Sequence, residues 1–237
     1  MKIDLSGKVA VVTGGASGIG KAIVSELTAA GCEVYFTSRT ANADDKRVWS
    51  LDMLDQQSVE SLVQRIKQLK RIDIFINNAG ISIPESINQL NFESFETTLK
   101  INLISPVILL KEVAKKMGVQ EHGKIVNISS IAGIVAKKKA SAYSSSKAGL
   151  AGLTRAMAVD MAQFGVLVNS VSPGPTETDM VEKLLSVEEK ETICNNIPLR
   201  RLAHTTEIAN VVLFLSSNLN TYITGQNIVV DGGFTIT

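Results

Sequence analysis

The sequence predicts one doubly wound α/β domain over residues 1–237, with about seven parallel strands and helices on both faces. Three observations favour this class. Short apolar runs rich in β-branched residues alternate with longer helical patterns. A glycine-rich turn follows the first run, at Gly14–Gly20. The chain has 237 residues, 45% of them hydrophobic, which suits one large domain better than two small ones.

Seven segments are predicted as strands because their apolar residues are continuous rather than alternating. Such runs are typical of a parallel sheet that is buried on both faces. The segments are Lys8–Thr13, Glu33–Ser38, Val48–Leu51, Asp73–Asn77, Gly123–Ile128, Val166–Val171 and Asn227–Val230.

Five helices are predicted between the strands: Gly18–Ala30, Ser58–Leu69, Phe92–Met117, Ser141–Gln163 and Thr205–Ser216. Gly31 is a good C-terminal cap for the first. Only residues 39–47 separate the second strand from the third, which is too short for an ordinary crossover helix. We expect either a thinly covered sheet face there or a loop over a bound adenosine.

The bulk composition excludes several classes of protein. The formal charge of +1 argues against nucleic-acid binding, which usually requires a basic face. Cys32 and Cys194 are the only cysteines, too few and too far apart for a disulfide scaffold or a zinc site. Residues 1–7 lead directly into a strand-like segment, and no apolar run is long enough for a membrane span. We therefore expect a soluble protein of the reducing cytoplasm without a metal.

The glycine-rich turn predicts a dinucleotide site. Gly14, Gly18 and Gly20 lie between the first strand and the first helix, in the spacing G-x-x-x-G-x-G. Glycines let the backbone approach a pyrophosphate, and the helix N-terminus offers free N–H groups to it. Many glycine turns only connect a strand to a helix, so the position at the first strand is what favours a Rossmann dinucleotide site.

The end of the second strand favours NADP(H), with NAD(H) possible. A carboxylate there would bind the ribose hydroxyls of NAD. This chain instead has Thr37-Ser38-Arg39-Thr40, and an arginine pairs well with a 2′-phosphate. Alternatively, Arg39 is only a solvated loop residue. Asp52 is expected either to accept from the adenine amino group or to cap a turn.

A reactive cluster is predicted around Tyr143 and Lys147, which share a helix face at i, i+4. A free tyrosine titrates near pH 10, so a nearby ammonium that favours phenolate would lower its pKa toward a useful range. Ser130 could donate to the substrate oxygen as negative charge develops there. Taken singly, each residue is better explained by packing or by its place at a strand end; together they predict proton transfer to a carbonyl.

These motifs resemble, in order and spacing, those of the classical short-chain dehydrogenase/reductase family. The resemblance covers essentially the whole chain. It is carried by Thr13–Gly20, Asn77-Asn78-Ala79-Gly80, Asn102, Ser130, Tyr143-x-x-x-Lys147, Pro173-Gly174 and Asp231-Gly232-Gly233.

The resemblance implies a division of roles within the site. Asn102, Ser130, Tyr143 and Lys147 would be catalytic: Lys147 would also hold the nicotinamide ribose, and Asn102 would anchor a water in a proton relay. Asn78 would contact the adenosine side, while Thr178 and the backbone at Thr176 would fix the carboxamide. The full set of predicted cofactor contacts is Gly14, Ser17, Gly18, Ile19, Gly20, Ser38, Arg39, Asp52, Met53, Asn78, Ala79, Gly80, Tyr143, Lys147, Pro173, Gly174, Thr176 and Thr178.

The substrate region is predicted to be a lid at about residues 175–198. Apolar Met180, Val181, Leu184, Leu185 and Ile193 alternate there with acids in an amphipathic pattern, which could close over a substrate or simply pack on the domain.

The C-terminal third is similar to 3-oxoacyl-acyl-carrier-protein reductases. Those reductases commonly carry basic residues where this chain has Glu121 and Phe164, so a carrier protein is a possible but doubtful partner. The run Lys137–Lys139 is either a substitute for that charge or a solvated surface.

The first hypothesis is an NADPH-dependent reductase that converts a ketone, such as a 3-oxoacyl thioester, to a secondary alcohol. The second is an NAD(P)-dependent dehydrogenase of a sugar, polyol or hydroxysteroid. The third is a dinucleotide-binding scaffold without turnover. The resemblance further implies a homotetramer or homodimer with paired helices, and the small residues after Tyr143 would allow such contact or intrachain packing.

Overall fold

The computed structural model describes residues 3–40, 45–178, 181 and 186–237, and it confirms the doubly wound fold. The strands are β1 Val9–Val12, β2 Glu33–Ser38, β3 Val48–Ser50, β4 Ile74–Asn77, β5 Gly123–Ile128, β6 Val166–Pro173 and β7 Asn227–Val230. All neighbouring strands are parallel, in the order β3-β2-β1-β4-β5-β6-β7, with Val9 in register with Glu33 and Ile74 with Lys124.

Helices pack on both faces of the sheet. They are α1 Gly18–Ala29, α2 Gln56–Gln68, α3 Phe92–Leu99, α4 Ser105–Gln120, α5 Ser141–Ala162, α6 Val187–Asn196 and α7 Thr205–Ser216. Short 3₁₀ turns occur at Ile87–Gln89, Ile131–Gly133 and Phe234–Ile236. No helix among these described residues is long and apolar enough to cross a bilayer.

The strands bury alternate residues in two separate cores. Val11 and Phe75 face one core, with apolar side chains of α2, α4 and α5. Ala10, Val12 and Ile76 face the other, with α1 and α7. Since both faces of the central strands are covered, every residue of β4 is buried, which is why Ile74, Phe75 and Ile76 form a continuous apolar run.

The helix expected over Phe92–Met117 is interrupted, and that prediction was wrong at one point. A π-helical turn at Lys100–Ile104 separates α3 from α4. Pro106 lies in the first turn of α4 and cannot donate to the carbonyl four residues earlier, that of Asn102. The wider turn places Asn102 in the interior, where it is 1% exposed.

The short β2–β3 connection contains no helix in its described residues, 39–40 and 45–47. Trp49 on β3 stacks on Tyr35 with ring centroids 4.8 Å apart, and the Arg65 guanidinium lies over the Trp49 ring. Trp49 is buried against α2, so this face of the sheet edge is covered.

An ionic cluster closes the amino-terminal edge of the sheet, opposite the glycine turn. The Asp73 carboxylate is buried and accepts from the Val9 amide, Arg71 and Lys8, with His122 3.5 Å away. Burial raises the pKa of Asp73, but the hydrogen bonds from His122, Arg71 and Val9 outweigh burial and hold the pKa well below its usual value.

Candidate functional site

The candidate site lies at the carboxyl ends of β1, β4 and β5, where parallel strands present their following loops together. The loops begin at Thr13, Asn78 and Ser129. In doubly wound sheets ligands bind outside these strand ends, where the strand order reverses. The order reverses here between β1 and β4.

The glycine turn requires glycine for two different reasons. Gly14 and Gly18 have φ of +66° and +51°, a region that favours glycine. At Gly20 a Cβ would overlap the Gly14 carbonyl oxygen, so the start of α1 packs directly on the turn. Ser17 is the N-cap of α1 without a side-chain cap, and the first turn carries no acid. The turn therefore offers a helix N-terminus suited to an anion.

The turn is fixed to the neighbouring strands by the side chains of Thr13 and Asn78. The Thr13 hydroxyl accepts from the amides of Asn78 and Ala79 at 2.9 and 3.1 Å. The Asn78 amide group donates to the carbonyls of Thr13 and Gly14. Asn78 thus ties the ends of β1 and β4 together. Its predicted contact with adenosine stays a prediction.

The residues expected to contact the adenosine of the cofactor are mostly exposed. Arg39 is exposed at the end of β2, and the Ser38 hydroxyl accepts from the Thr40 amide. Asp52 is exposed and caps a turn by accepting from the Leu54 amide. The Met53 side chain is buried in the core, and its carbonyl accepts from Ser105. Its predicted contact with the cofactor stays a prediction.

Ser130 follows β5 and begins the 3₁₀ turn Ile131–Gly133, where its hydroxyl accepts from the Ala132 amide. This turn packs tightly on α5, because a Cβ at Gly133 would lie 2.8 Å from the Ala148 nitrogen. The Ser129 hydroxyl donates to the Lys147 carbonyl. These contacts hold the serine loop against the helix that carries Tyr143.

Tyr143 and Lys147 lie one turn apart on α5, with the Lys147 ammonium nitrogen 5.6 Å from the centre of the Tyr143 ring. Burial lowers the pKa of Lys147 to about 8, and its Nζ donates to the Ile128 carbonyl at 2.8 Å. Burial raises the pKa of Tyr143, and the Ser130 hydroxyl lowers it.

The expected effect of Lys147 on the phenol is therefore corrected. The pKa of Tyr143 is shifted upward rather than downward, and its lowering partner is Ser130. The physical reason is that the ammonium is directed to a main-chain carbonyl, while burial penalises the phenolate.

Asn102 is brought to this cluster from the π-helical turn. Its side chain accepts from the Ile81 amide and donates to the Ile81 carbonyl and to the Ser146 hydroxyl. Ser146 in turn donates to the Tyr143 carbonyl at 2.7 Å. Gly80 allows this approach, since a Cβ there would lie 3.0 Å from the Asn102 Oδ1 and 3.5 Å from the Lys147 Nζ.

The segment after β6 closes the far side of the site. Pro173 and Thr176 are buried, and Gly174 packs where a Cβ would lie 2.7 Å from the Asp231 Cα. Thr178 approaches the glycine turn: its methyl carbon would be 3.4 Å from a Cβ at Gly18.

The expected lid is only partly described. Met180, Leu184 and Leu185 lie outside the described residues. Its second half is α6, which begins with a capping box formed by Ser186 and Glu189. The Asp231 carboxylate caps the turn after β7 by accepting from the amides of Gly233 and Thr235. Gly232 and Gly233 pack against residues 197–199 at the end of that segment.

Sequence reasoning missed Thr13, Ser129, Gly133 and Ser146 as parts of the site. Ser146 was grouped with small packing residues, although a hydroxyl three residues after Tyr143 can reach its carbonyl within one helical turn. Its second partner, Asn102, is distant in the sequence and gave no local signal.

The arrangement combines three chemical functions at one edge of the sheet. It offers a helix N-terminus for an anion, a phenol for proton exchange with an oxygen atom and a hydroxyl for an oxyanion. The buried lysine adds a donor with a pKa near the physiological range.

Comparisons with known proteins agree with this chemistry. A family model described as enoyl-(acyl carrier protein) reductase matches residues 14–235. The 3-oxoacyl-acyl-carrier-protein reductase of Aquifex aeolicus (strain VF5) is 39% identical, covering 98% of this chain and 99% of that protein. The corresponding reductase of Escherichia coli (strain K12) is 35% identical, with 98% of each chain covered.

Two solved structures are also similar. A candidate NAD(P)-dependent gluconate 5-dehydrogenase from Beutenbergia cavernae, with NADP bound at low occupancy, superposes with a TM-score of 0.95 at 29% identity over the full length of both chains. A short-chain type dehydrogenase/reductase from Mycobacterium marinum has a TM-score of 0.91 at 31% identity, covering 99% of this chain and 98% of that one.

Proposed function

Because the chain belongs to the short-chain dehydrogenase/reductase family, we propose that it is an NADPH-dependent reductase that converts a ketone to a secondary alcohol. The preferred substrate is a 3-oxoacyl thioester or a similar carbonyl compound. The single observation that carries this proposal is the grouping of Ser130, Tyr143 and Lys147 beside the glycine turn.

The residues of the turn fit a dinucleotide. Any side chain at Gly20 would overlap the turn, and the uncapped first turn of α1 leaves N–H groups for a pyrophosphate. The Lys147 amine lies beside Gly80, two residues after Asn78, whose side chain bonds the Gly14 carbonyl of the turn. We assign Ser17–Gly20 to the pyrophosphate and Lys147 to the nicotinamide ribose, while Thr178 would fix the carboxamide. When bound, the nicotinamide supplies or accepts the hydride.

NADP(H) is the favoured cofactor. The described end of β2 carries Arg39 and no acid up to Thr40. We expect Arg39→Ala to weaken NADPH binding about tenfold, because a charge-assisted bond to the 2′-phosphate is lost, and to leave NADH binding nearly unchanged. Fluorescence titration with both cofactors measures the change, and an equal loss for NADH would contradict the assignment.

The proposed proton transfer uses Tyr143 as the acid in reduction. Its raised pKa keeps the phenol protonated near neutrality, so it can donate to the carbonyl oxygen as that oxygen gains charge. The Ser130 hydroxyl donates a second hydrogen bond to the same oxygen. Lys147, with a pKa of about 8, holds a proton near the phenol and is suited to resupply it, and Asn102 would anchor a water on that route.

The 3-oxoacyl thioester is favoured over the alternative substrates by the reductases at 35–39% identity. The second candidate, a sugar dehydrogenase, is supported by the likeness to the Beutenbergia cavernae structure. The third, a scaffold without turnover, is opposed by the complete set of reactive residues. A carrier protein is a doubtful partner, because Glu121 is exposed and Phe164 packs on Gly118 where basic residues would steer an acidic surface.

A panel assay tests the function directly. We expect NADPH oxidation with 3-oxo thioesters or other ketones, and a decrease in kcat of at least about 100-fold in Tyr143→Phe, whose NADPH binding is retained. Tyr222→Phe is the matched control, since Tyr222 is almost fully exposed. Absence of turnover with thioesters, diketones and keto sugars alike would support the scaffold instead.

We further propose that the chain is one Rossmann domain whose segment 175–198 forms the substrate lid. The family resemblance favours a homotetramer, and the fold has apolar faces for it. Ile104, Val107 and Ile108 are exposed on one side of the π turn and α4. Gly149 by contrast serves intrachain packing, because a Cβ there would lie 2.8 Å from Leu103. Light scattering of Ile108→Glu, expected to give smaller particles, tests this assembly.

We propose a cytoplasmic location for the enzyme. Cys32 and Cys194 are both free, as is usual for proteins of a reducing compartment. Fractionation of the source cells tests it, and recovery outside the cytoplasm would contradict it.

A further inference from the structure

Three consecutive lysines stand at the approach to the reactive cluster. Lys137, Lys138 and Lys139, here called the lysine turn, are all exposed and lie between the 3₁₀ turn that follows Ser130 and the first residue of α5. The reaction assigned to Tyr143 requires no such charge, so the lysine turn needs a separate explanation.

The backbone of the lysine turn is held in place. The Glu85 amide donates to the Lys139 carbonyl at 3.0 Å, and Glu85 forms a parallel bridge with Ala140. Lys139 has a φ of +57°, a conformation that costs energy for a residue other than glycine. A solvated charge run needs neither a strained residue nor a bridge, so these features favour a positioned basic loop.

The lysine turn lies close to the phenol along the chain. Lys139 and Tyr143 are four positions apart, a span of at most about 14 Å, and part of that span is helical. The Ser144 amide already bonds the Ala140 carbonyl, so α5 begins immediately after the turn. A lysine ammonium in this turn could therefore contact a substrate group that is remote from the ketone, while the ketone of the same substrate lies at Tyr143.

The two segments that lead from the reactive residues to the lysine turn are largely apolar. Residues 81–85 run from the Asn102 contact to Glu85, and residues 131–140 run from Ser130 to Ala140. They include Ile81, Ile83 and the half-exposed Ile134, and Glu85 is the only acid in either. The approach is thus apolar near Tyr143. Farther from Tyr143 it carries three positive charges and one negative charge.

We infer that the lysine turn binds the phosphate of the pantetheine arm of a 3-oxoacyl thioester. Such an arm is long, flexible and uncharged between the thioester and its phosphate, so it can cross the apolar approach and present its phosphate to the lysines while the ketone lies at Tyr143. A keto sugar acid fits less well, because its carboxylate lies only a few bonds from the ketone. This inference rests on the proposed function and names its substrate class; the arm could belong to coenzyme A or to a carrier protein.

The test compares kcat/KM for acetoacetyl-coenzyme A with that for the acetoacetyl thioester of N-acetylcysteamine, which has no phosphate. In K137A/K138A/K139A we expect the ratio of the two to fall about tenfold, mainly through KM for the coenzyme A thioester. Added salt should lower the ratio in the native chain and have little effect in the variant. The double variant K137A/K138A leaves the strained Lys139 untouched and should show a smaller fall in the same direction.

The control K67A/K70A/K115A removes three lysines at or near the opposite edge of the sheet and should leave the ratio unchanged. The acetoacetyl thioester of a carrier protein is the third substrate. If kcat/KM falls in the variant for both the coenzyme A thioester and the carrier-protein thioester, the lysines recognise the arm that the two share. If it falls for only one of them, that substrate is the source of the recognised arm. An unchanged ratio, with all thioesters still reduced, overturns the inference alone. If the variant K137A/K138A/K139A instead loses kcat/KM only for a keto sugar acid, the inference is also overturned. If the native chain turns over none of these substrates, the proposed function itself is overturned.

Discussion

Replacing Ser146 by alanine tests whether buried hydrogen bonds position the phenol. Ser146 is fully buried, and its hydroxyl accepts from the Asn102 side-chain amide at 3.0 Å and donates to the Tyr143 carbonyl at 2.7 Å. The same Asn102 nitrogen keeps its bond to the Ile81 carbonyl. The substitution therefore leaves one buried N–H unpaired and removes one hydrogen bond to the first turn of α5.

An unpaired buried donor costs about 1–3 kcal/mol, so we expect Ser146→Ala to lower the free energy of unfolding by about 2 kcal/mol. For a chain of this size that corresponds to a decrease in Tm of about 4–8 °C. If all of this energy holds the phenol in alignment, kcat could fall by as much as about 30-fold, and we expect about tenfold.

The assays are thermal denaturation and steady-state kinetics at saturating NADPH. Ser145→Ala is the matched control, because Ser145 is exposed on the same helix and should change neither quantity. A lower Tm with native kcat would show that Ser146 stabilises the fold without positioning Tyr143. Native values of both would show that the Asn102–Ser146–Tyr143 connection has no energetic weight.

Three further outcomes are expected. Gly20→Ala should weaken NADPH binding by at least about 100-fold in a fluorescence titration, because its Cβ would overlap the Gly14 carbonyl. Gly152→Ala is the control, because a Cβ at this helical glycine would make only an ordinary contact with Arg155. Burial lowers the pKa of Lys147 to about 8, so its ammonium is lost as pH rises through that value, and kcat/KM for reduction should fall above it. Lys147→Arg should move this limb to higher pH, because a guanidinium stays protonated, and an unmoved limb would exclude Lys147 as its source. The pKa of Asp73 is lowered in the fold from 3.8, so its stabilisation is present above that pH and lost as pH falls. Asp73→Asn should therefore cost about 2 kcal/mol at neutral pH in denaturant titrations and flatten the acid limb, and equal stability at pH 7 would contradict this.

Much of the fold could be predicted because its signals are local. Continuous apolar runs identify strands that are buried on both faces, and each of the seven predicted strands overlaps a strand of the sheet. The positive φ at Gly14 and Gly18 follows from a tight turn between a strand and a helix. Tyr143 and Lys147 share a helix face because of their spacing alone.

The helix break at Lys100–Ile104 was not predicted, although Pro106 was a visible signal for it. The apolar pattern continues through the break, and a π turn changes the face that each residue presents without changing that pattern. The interior position of Asn102 follows from this turn.

The chain alone therefore determined the class of fold, the glycine turn and the helical spacing of the phenol and the amine, since each depends on residues within about one turn or one strand of each other. Only the tertiary structure decided the partners of these groups. Ser146 meets Asn102 across 44 residues, and the Lys147 ammonium meets the Ile128 carbonyl across 19. Such contacts, and the burial that shifts the pKa values of Lys147 and Tyr143, arise from how helices pack on the sheet, which no local pattern encodes.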